Sequence, residues 1–210
     1  MSKVEEVKRQ AVCLMAEKGF EAMSLRRLAA ASGMRSGSVY AHYSTKAQLL
    51  LDVYCDYLDD LLSVWMERRH QPIGSPQALQ GFVSVYVGFH YARAQESRIV
   101  RLDFRSLDEV GQLQVNELKA QYQAELGSIL RQGELRGVFR FADLQATQLA
   151  ILAVMQGLCA EPSLSEPEAL EACINAVCSL VGMPAASCAR SHGELRVSGK
   201  VAAALMASRP

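Results

Sequence analysis

Between Ser24 and Lys46 the chain reads SLRRLAAASGMRSGSVYAHYSTK, and its polar residues are of types that meet phosphates and base edges. Arg35, Ser36, Ser38, Tyr40 and His42 fall on the exposed remainder of a short predicted helix, and Lys46 opens the next one. A guanidinium can pair with a guanine edge, while hydroxyl, imidazole and ammonium groups donate to phosphate oxygens. This is recognition chemistry, not bond-breaking chemistry. The four histidines (His42, His70, His90, His192) are dispersed, and no G-x-S-x-G, Walker A, H-E-x-x-H or dinucleotide fingerprint occurs. The expectation is a protein that is not an enzyme and needs neither cofactor nor metal.

Such groups need a scaffold that turns sharply. Leu25, Leu28 and Ala29 form an apolar i, i+3, i+4 face behind Ser24, which stands where an N-cap belongs. Gly33 is the turn residue, because a reversal within three or four residues often needs positive φ. Ser36 is predicted to cap the second helix, on which Val39 and Tyr43 face inward. The order of small Ala29, turning Gly33 and apolar Val39 is the spacing of a DNA-binding helix-turn-helix. Gly37 would let the backbone approach a duplex closely. From residue type alone, Tyr40 and His42 also suit surface packing, and Lys46 also suits a merely solvated position.

GMRSGSVYAHYSTKAQLL resembles the helix-turn-helix of TetR-type (TetR/AcrR) transcriptional regulators at Gly33, Met34, Gly37, Ser38, Val39, Tyr40, His42, Lys46 and Leu49. Tyr43 replaces the usual Phe, Thr45 the usual Ser, and Arg35 and Ser36 depart from the common Ser-Lys pair. The match runs over roughly residues 5–55, and beyond it the likeness is one of architecture. The resemblance implies an all-α protein of about nine helices. A helix-turn-helix DNA-binding domain would occupy residues 1–46 and a helical effector-binding and dimerisation domain residues 47–183, with a tail at 184–210 of no assigned role. It further implies a ligand-responsive regulator, a repressor that binds a palindromic operator in double-stranded DNA as a homodimer. A small hydrophobic or acyl-type effector, lipid-like or an acyl-CoA, would release it. By resemblance, Ser24, Arg35, Ser36, Gly37, Ser38, Tyr40, His42 and Lys46 are the DNA-binding residues.

The bulk numbers suit that expectation. Half of the 210 residues are hydrophobic and net charge is zero, yet Met1 to Lys46 holds eight basic and four acidic residues. A basic head on an acidic body can release counterions at phosphates. No apolar run reaches the roughly 18 residues of a membrane span, and MSKVEEVKRQ has no apolar core of a signal peptide. The expectation is a cytoplasmic protein without a membrane partner. Cys13, Cys55, Cys159, Cys173, Cys178 and Cys188 form no CxxC pair and mostly sit among apolar helical residues. The alternative to an effector-released regulator is a thiol-based redox sensor that binds DNA.

Outside the motif the periodicity is helical throughout. Residues 3–18 carry an apolar face closed by Gly19, and Ser44 is predicted to cap a helix from Thr45 to about Arg69. QPIGSP at 71–76 is the clearest boundary, after which residues 76–95 are apolar on too broad a surface for a helix with a wet side. Further helices are expected at 98–107, 112–135, 143–160 and 166–182. The last two are rich in small residues and suit either a tight core or, as the resemblance implies, the dimer interface. Tyr86, Phe89, His90, Arg101, Phe104 and Tyr122 are candidates for an effector pocket, although such aromatic stripes equally make core. A short helix at 200–207 is a further expectation.

Overall fold

The structure, a computed structural model, describes residues 3–69 and 71–183. Among them are nine α-helices and one 3-10 turn, with no strand. The expected tail helix at 200–207 and His70 lie outside the described residues. The chain divides into two compact units.

The first unit comprises the residues up to Asp59 together with Arg93–Lys119. It contains α1 (Lys3–Lys18), α2 (Leu25–Ala31), α3 (Ser36–Tyr40), the first part of α4 (Lys46–Arg68), α6 (Ala94–Leu102), the 3-10 turn Phe104–Ser106 and the start of α7 (Glu109–Leu135). Helix α1 buries Val7, Ala11, Val12 and Met15, one helical face, and packs on α2 and α6. Helix α2 starts at Ser24, whose hydroxyl accepts from the Arg27 amide at 3.3 Å. Its buried Leu28 and Ala29 meet α3, and the small side chain at Ala29 allows the close crossing. Gly33 has φ +65°, the left-handed conformation that L side chains rarely adopt.

Two predicted caps move by one residue. Arg35, not Ser36, is the N-cap of α3, and it makes no side-chain capping bond. Ser36 is the first helical residue. The cap of α4 is made by Thr45, not Ser44: the Gln48 amide donates to Thr45 Oγ1 at 3.1 Å, and Gln48 Oε1 accepts from the Ser44 amide at 3.0 Å. This reciprocal pair satisfies two donors that a helix start leaves unpaired. The expected helix at 98–107 is also divided, with α6 ending at Leu102 and a 3-10 turn following. Ile99 and Leu107 are buried, but Leu102 is 56% exposed.

The second unit comprises Asp60–Ala92 and the described residues from Ala120 onward. It holds the end of α4, α5 (Pro76–Ala92), the remainder of α7, α8 (Leu144–Cys159) and α9 (Glu166–Leu180). Pro76 opens α5 behind Ser75, whose hydroxyl accepts from the Ala78 amide at 3.1 Å. Every position from Ala78 to Val87 is buried, so α5 is a central helix with no wet side. It packs on α8 and α9, which pack on each other. Phe139 lies over Gly133, where an added Cβ would fall 1.9 Å from the ring. That contact anchors the turn after α7, whereas Phe141 is only half-buried.

Candidate functional site

The helix-turn-helix is held from behind by polar bonds as well as by apolar packing. Lys8 on α1 reaches Asp52 at 2.8 Å and Asp56 at 2.7 Å on α4. Burial opposes the Lys8 charge, but the hydrogen bonds to the two carboxylates prevail and its pKa is raised. Asp52 also accepts from the Tyr43 hydroxyl at 2.7 Å. This explains the Tyr at a position where the resembled motif has Phe: its ring fills the core and its hydroxyl ties the end of the reading segment to α4. Burial and then the hydrogen bond to Asp52 push the Tyr43 pKa far up, so the hydroxyl stays a donor.

On the outer side, Ser24, Arg35, Gly37, Ser38, Tyr40 and His42 are exposed and Ser36 is half-exposed. Only Val39 of α3 is buried. Tyr40 is 52% exposed. At Gly37 an added Cβ would meet nothing within 4 Å, so nothing in this chain's own packing calls for a glycine there.

Lys46, a phosphate contact by resemblance, also has partners within the chain. Its ammonium donates to the carbonyls of Phe20 and Glu21 at 3.3 Å each and to the Glu21 carboxylate at 3.0 Å. It also lies 4.3 Å from the Phe20 ring centroid. Lys46 thus clamps the link between α1 and α2 to the start of α4. The clamp follows from electrostatics, since a cation in the first turn of a helix is unfavourable unless oxygen acceptors surround it. Glu21 is 84% exposed, so its ion pair with Lys46 adds little stability by itself.

Of the six effector candidates, Tyr86, Phe89, His90 and Tyr122 lie in the second unit and Arg101 and Phe104 in the first. In the second unit Tyr86 stacks on His90 with centroids 3.9 Å apart and lies 6.3 Å from Tyr122, which itself stacks on Phe82 at 4.6 Å. Phe89 is buried on the same helix. Trp65 closes the cluster edge-on to Phe82 at 5.1 Å and donates to Glu125 at 2.9 Å. His90 Nδ1 lies 2.8 Å from the Tyr86 carbonyl, and burial lowers its pKa to about 4, so the ring is neutral near pH 7. Phe104 and Arg101 belong to the first unit: Phe104 packs edge-on to Tyr54 at 6.3 Å beneath the Lys119 ammonium at 4.3 Å, and Arg101 is exposed.

Sequence reasoning passed over Gln80. Its side chain is 2% exposed, and neither its amide nitrogen nor its amide oxygen has a hydrogen-bond partner. An amide buried unsatisfied costs about 1–3 kcal/mol, which marks the position as one that packing alone does not explain. The signal was a polar residue inside a helix that is apolar all round.

Cys55 lacks the character of a thiol sensor. Burial raises the Cys55 pKa, and Asp59, Asp52 and Asp56 push it the same way, so the thiol stays protonated where a sensor needs a thiolate. The hydrogen bond between the free thiols of Cys159 and Cys173 raises the pKa of Cys159, with burial adding to it, and lowers that of Cys173.

An outward-facing reading helix on a braced three-helix head, followed by a helical body with an aromatic core, defines a helix-turn-helix regulator of transcription. Residues 9–53 match a family model described as "Bacterial regulatory proteins, tetR family", and residues 74–160 match "Tetracyclin repressor-like, C-terminal domain". The chain belongs to the TetR family. Among curated relatives it is 29% identical over 146 residues to the HTH-type transcriptional repressor KstR2 of Mycolicibacterium smegmatis, an alignment covering 66% of this chain and 68% of that protein. It is 30% identical over 122 residues to KstR2 of Rhodococcus jostii, covering 58% and 56%. A tetR-family regulatory protein from Rhodococcus RHA1 superposes with a TM-score of 0.80 at 24% identity, covering 88% of this chain and 99% of that one. AibR, solved with isovaleryl coenzyme A and operator DNA, gives 0.74 at 17% identity over 83% and 97%. FadR of Bacillus subtilis, solved with stearoyl-CoA, gives 0.73 at 16% over 84% and 97%. These structures share the fold. Among the described residues no helix is long and apolar enough to cross a membrane.

Proposed function

We propose that this protein is a repressor that holds a palindromic operator as a homodimer and releases it when an acyl-type effector occupies the helical body. The observation that carries the reading is the outward row on α3, where polar side chains surround a glycine that internal packing does not require. Arg35, Ser36 and Ser38 are assigned to base edges or their immediate surroundings, and Tyr40, His42 and Ser24 to phosphates. Lys46 is assigned to a phosphate as well, and within the chain its ammonium also meets three oxygens.

A five-residue reading helix reaches only a few base pairs, so a second copy is needed, and two-fold symmetry makes the operator palindromic. We assign the dimer contact to α8 and α9. Leu149 on α8 is 63% exposed, and Gly157 leaves open space beside the backbone, as suits a close helix approach. The acyl-type effector is supported by the ligands with which AibR and FadR were solved, both acyl thioesters of coenzyme A. Tyr86, Phe89, His90 and Tyr122 are the residues of the body assigned to it. An effector acts by binding more tightly to the conformation that holds DNA less well.

The test is fluorescence anisotropy on an operator duplex recovered by selection from random DNA, titrated with isovaleryl-CoA and stearoyl-CoA. Release by at least one acyl-CoA, and not by free coenzyme A, is the expected result. Retention of the operator at saturating concentrations of both, with release by mild peroxide, would replace this reading with the thiol-sensor alternative.

A further inference from the structure

We propose that Asp52 is a positioning residue for DNA reading: it holds the Tyr43 hydroxyl and so sets the angle at which α3 meets base edges. The inference rests on the reading of α3 as the recognition helix and adds to it a residue that acts through another.

Among its own residues α3 buries only Val39, and one anchor leaves a short helix able to swivel about it. Tyr43 is the second anchor. Its amide donates to the Val39 carbonyl at 2.9 Å and its side chain is 4% exposed. Val39 and Tyr43 are thus one turn apart on the inward side, and two anchors fix a direction where one does not. The far end of the second anchor is the Tyr43 hydroxyl, which donates to Asp52 Oδ2 at 2.7 Å.

Asp52 is held in its turn. The Lys8 ammonium lies 2.8 Å from that same Oδ2 and 2.7 Å from Asp56 Oδ2, one turn further along α4. A single carboxylate oxygen therefore joins α1, α4 and the end of the reading segment. Asp56 shares Lys8 with Asp52, while the Tyr43 hydroxyl goes to Asp52. The two carboxylates are alike in bracing α1 and differ in their hold on α3.

The Tyr43–Asp52 bond is poorly placed to serve stability. The Asp52 side chain is 43% exposed, so water competes for its oxygens, and a phenylalanine ring would fill the same buried space. What the hydroxyl adds to a ring is direction, since a hydrogen bond weakens steeply as its length and angle depart from the optimum. Base-edge contacts by Arg35, Ser36 and Ser38 need that kind of geometry, whereas attraction to phosphates is a matter of charge. An orienting bond therefore shows in the operator-specific part of the affinity and leaves non-specific binding alone.

The experiment is fluorescence anisotropy of the full chain and of Y43F, D52A, their double variant and D56A, on the selected operator duplex and on a duplex of unrelated sequence. D52A and D56A each leave Lys8 one carboxylate, so bracing alone predicts equal losses from the two. Y43F, D52A and the double variant are each expected to bind the operator about tenfold more weakly, by one common factor because each removes the same bond. D56A should bind it as the parent does, and affinity for the unrelated duplex should be unchanged throughout. An operator loss in D56A equal to that in D52A overturns the positioning role, and so does a parallel loss on both duplexes. Should D52A not fold, Y43F decides, and operator binding by Y43F as tight as the parent's overturns the role. If these variants match the parent while Arg35→Ala still relaxes base preference, the positioning role falls and the reading of α3 stands. A parent that prefers neither duplex removes that reading and the positioning role with it.

Discussion

Helices α3 and α5 are built on opposite terms. Helix α3 has five residues and buries one of them, Val39; α5 has seventeen and buries every position from Ala78 to Val87. The first earns its position from neighbours, through Ala29 behind it and the Tyr43–Asp52–Lys8 chain after it. The second is itself the core around which α8 and α9 pack. A helix that acts on an external polymer can be short and polar because its stability is supplied from behind. A helix proposed to receive an apolar effector must be enclosed.

The contrast predicts which changes are felt as stability and which as recognition. Trp65→Ala should have the largest effect, since it removes a 1% exposed indole, its edge contact with Phe82 and its bond to Glu125. A loss of about 3–5 kcal/mol in urea denaturation is expected. A loss below about 1 kcal/mol would mean that the aromatic cluster is not core.

The body should also answer to pH. His90 has an ordinary pKa of 6.5 lowered to about 4 by burial, so between these values the unfolded chain binds more protons than the folded one. Its contribution is fully present above about pH 6.5 and is lost as pH falls toward 4, up to about 3 kcal/mol. Thermal melts of the parent and of His90→Gln across that window should show the variant with the shallower slope.

Helix α3 should behave in the other way. Arg35→Ala is expected to leave the melting temperature alone and to relax preference at one base pair, by about 1–3 kcal/mol, in binding-site selection. Tyr40→Ala should weaken every operator alike, by about tenfold, and lower the salt dependence of binding, as loss of a phosphate contact does. The smallest stability change belongs to Gly37→Ala. Open space around the added Cβ and the better helix propensity of alanine predict a neutral result or a gain of up to about 1 kcal/mol. Operator affinity should nevertheless fall, and a variant both more stable and fully active would remove the close-approach role of Gly37.

The two regions were not equally legible in the sequence. The head could be read because turning and reading impose residue types at set places: Gly33 with its positive φ, small Ala29, inward Val39 and the exposed polar row all stand as the spacing implied. What it concealed were side-chain choices among several acceptors. Lys46 took three oxygens of the chain itself, and the caps moved to Arg35 and Thr45. In the body the helices were legible from periodicity, but the aromatic candidates were not sorted by it. Nothing in their spacing separates Tyr86, His90 and Tyr122, which gather, from Phe104, which sits with Tyr54 and Lys119. Gln80 escaped because its meaning is the absence of a partner, which only three dimensions reveal.

The outward row of α3 is proposed to read DNA as one of a symmetric pair. Selection of binding sites from random duplex DNA by the full chain tests it most directly. The expected result is enrichment of an inverted repeat whose two half-sites each carry the base pair that Arg35→Ala relaxes. Enrichment of a single asymmetric site, or of no sequence at all, would contradict it.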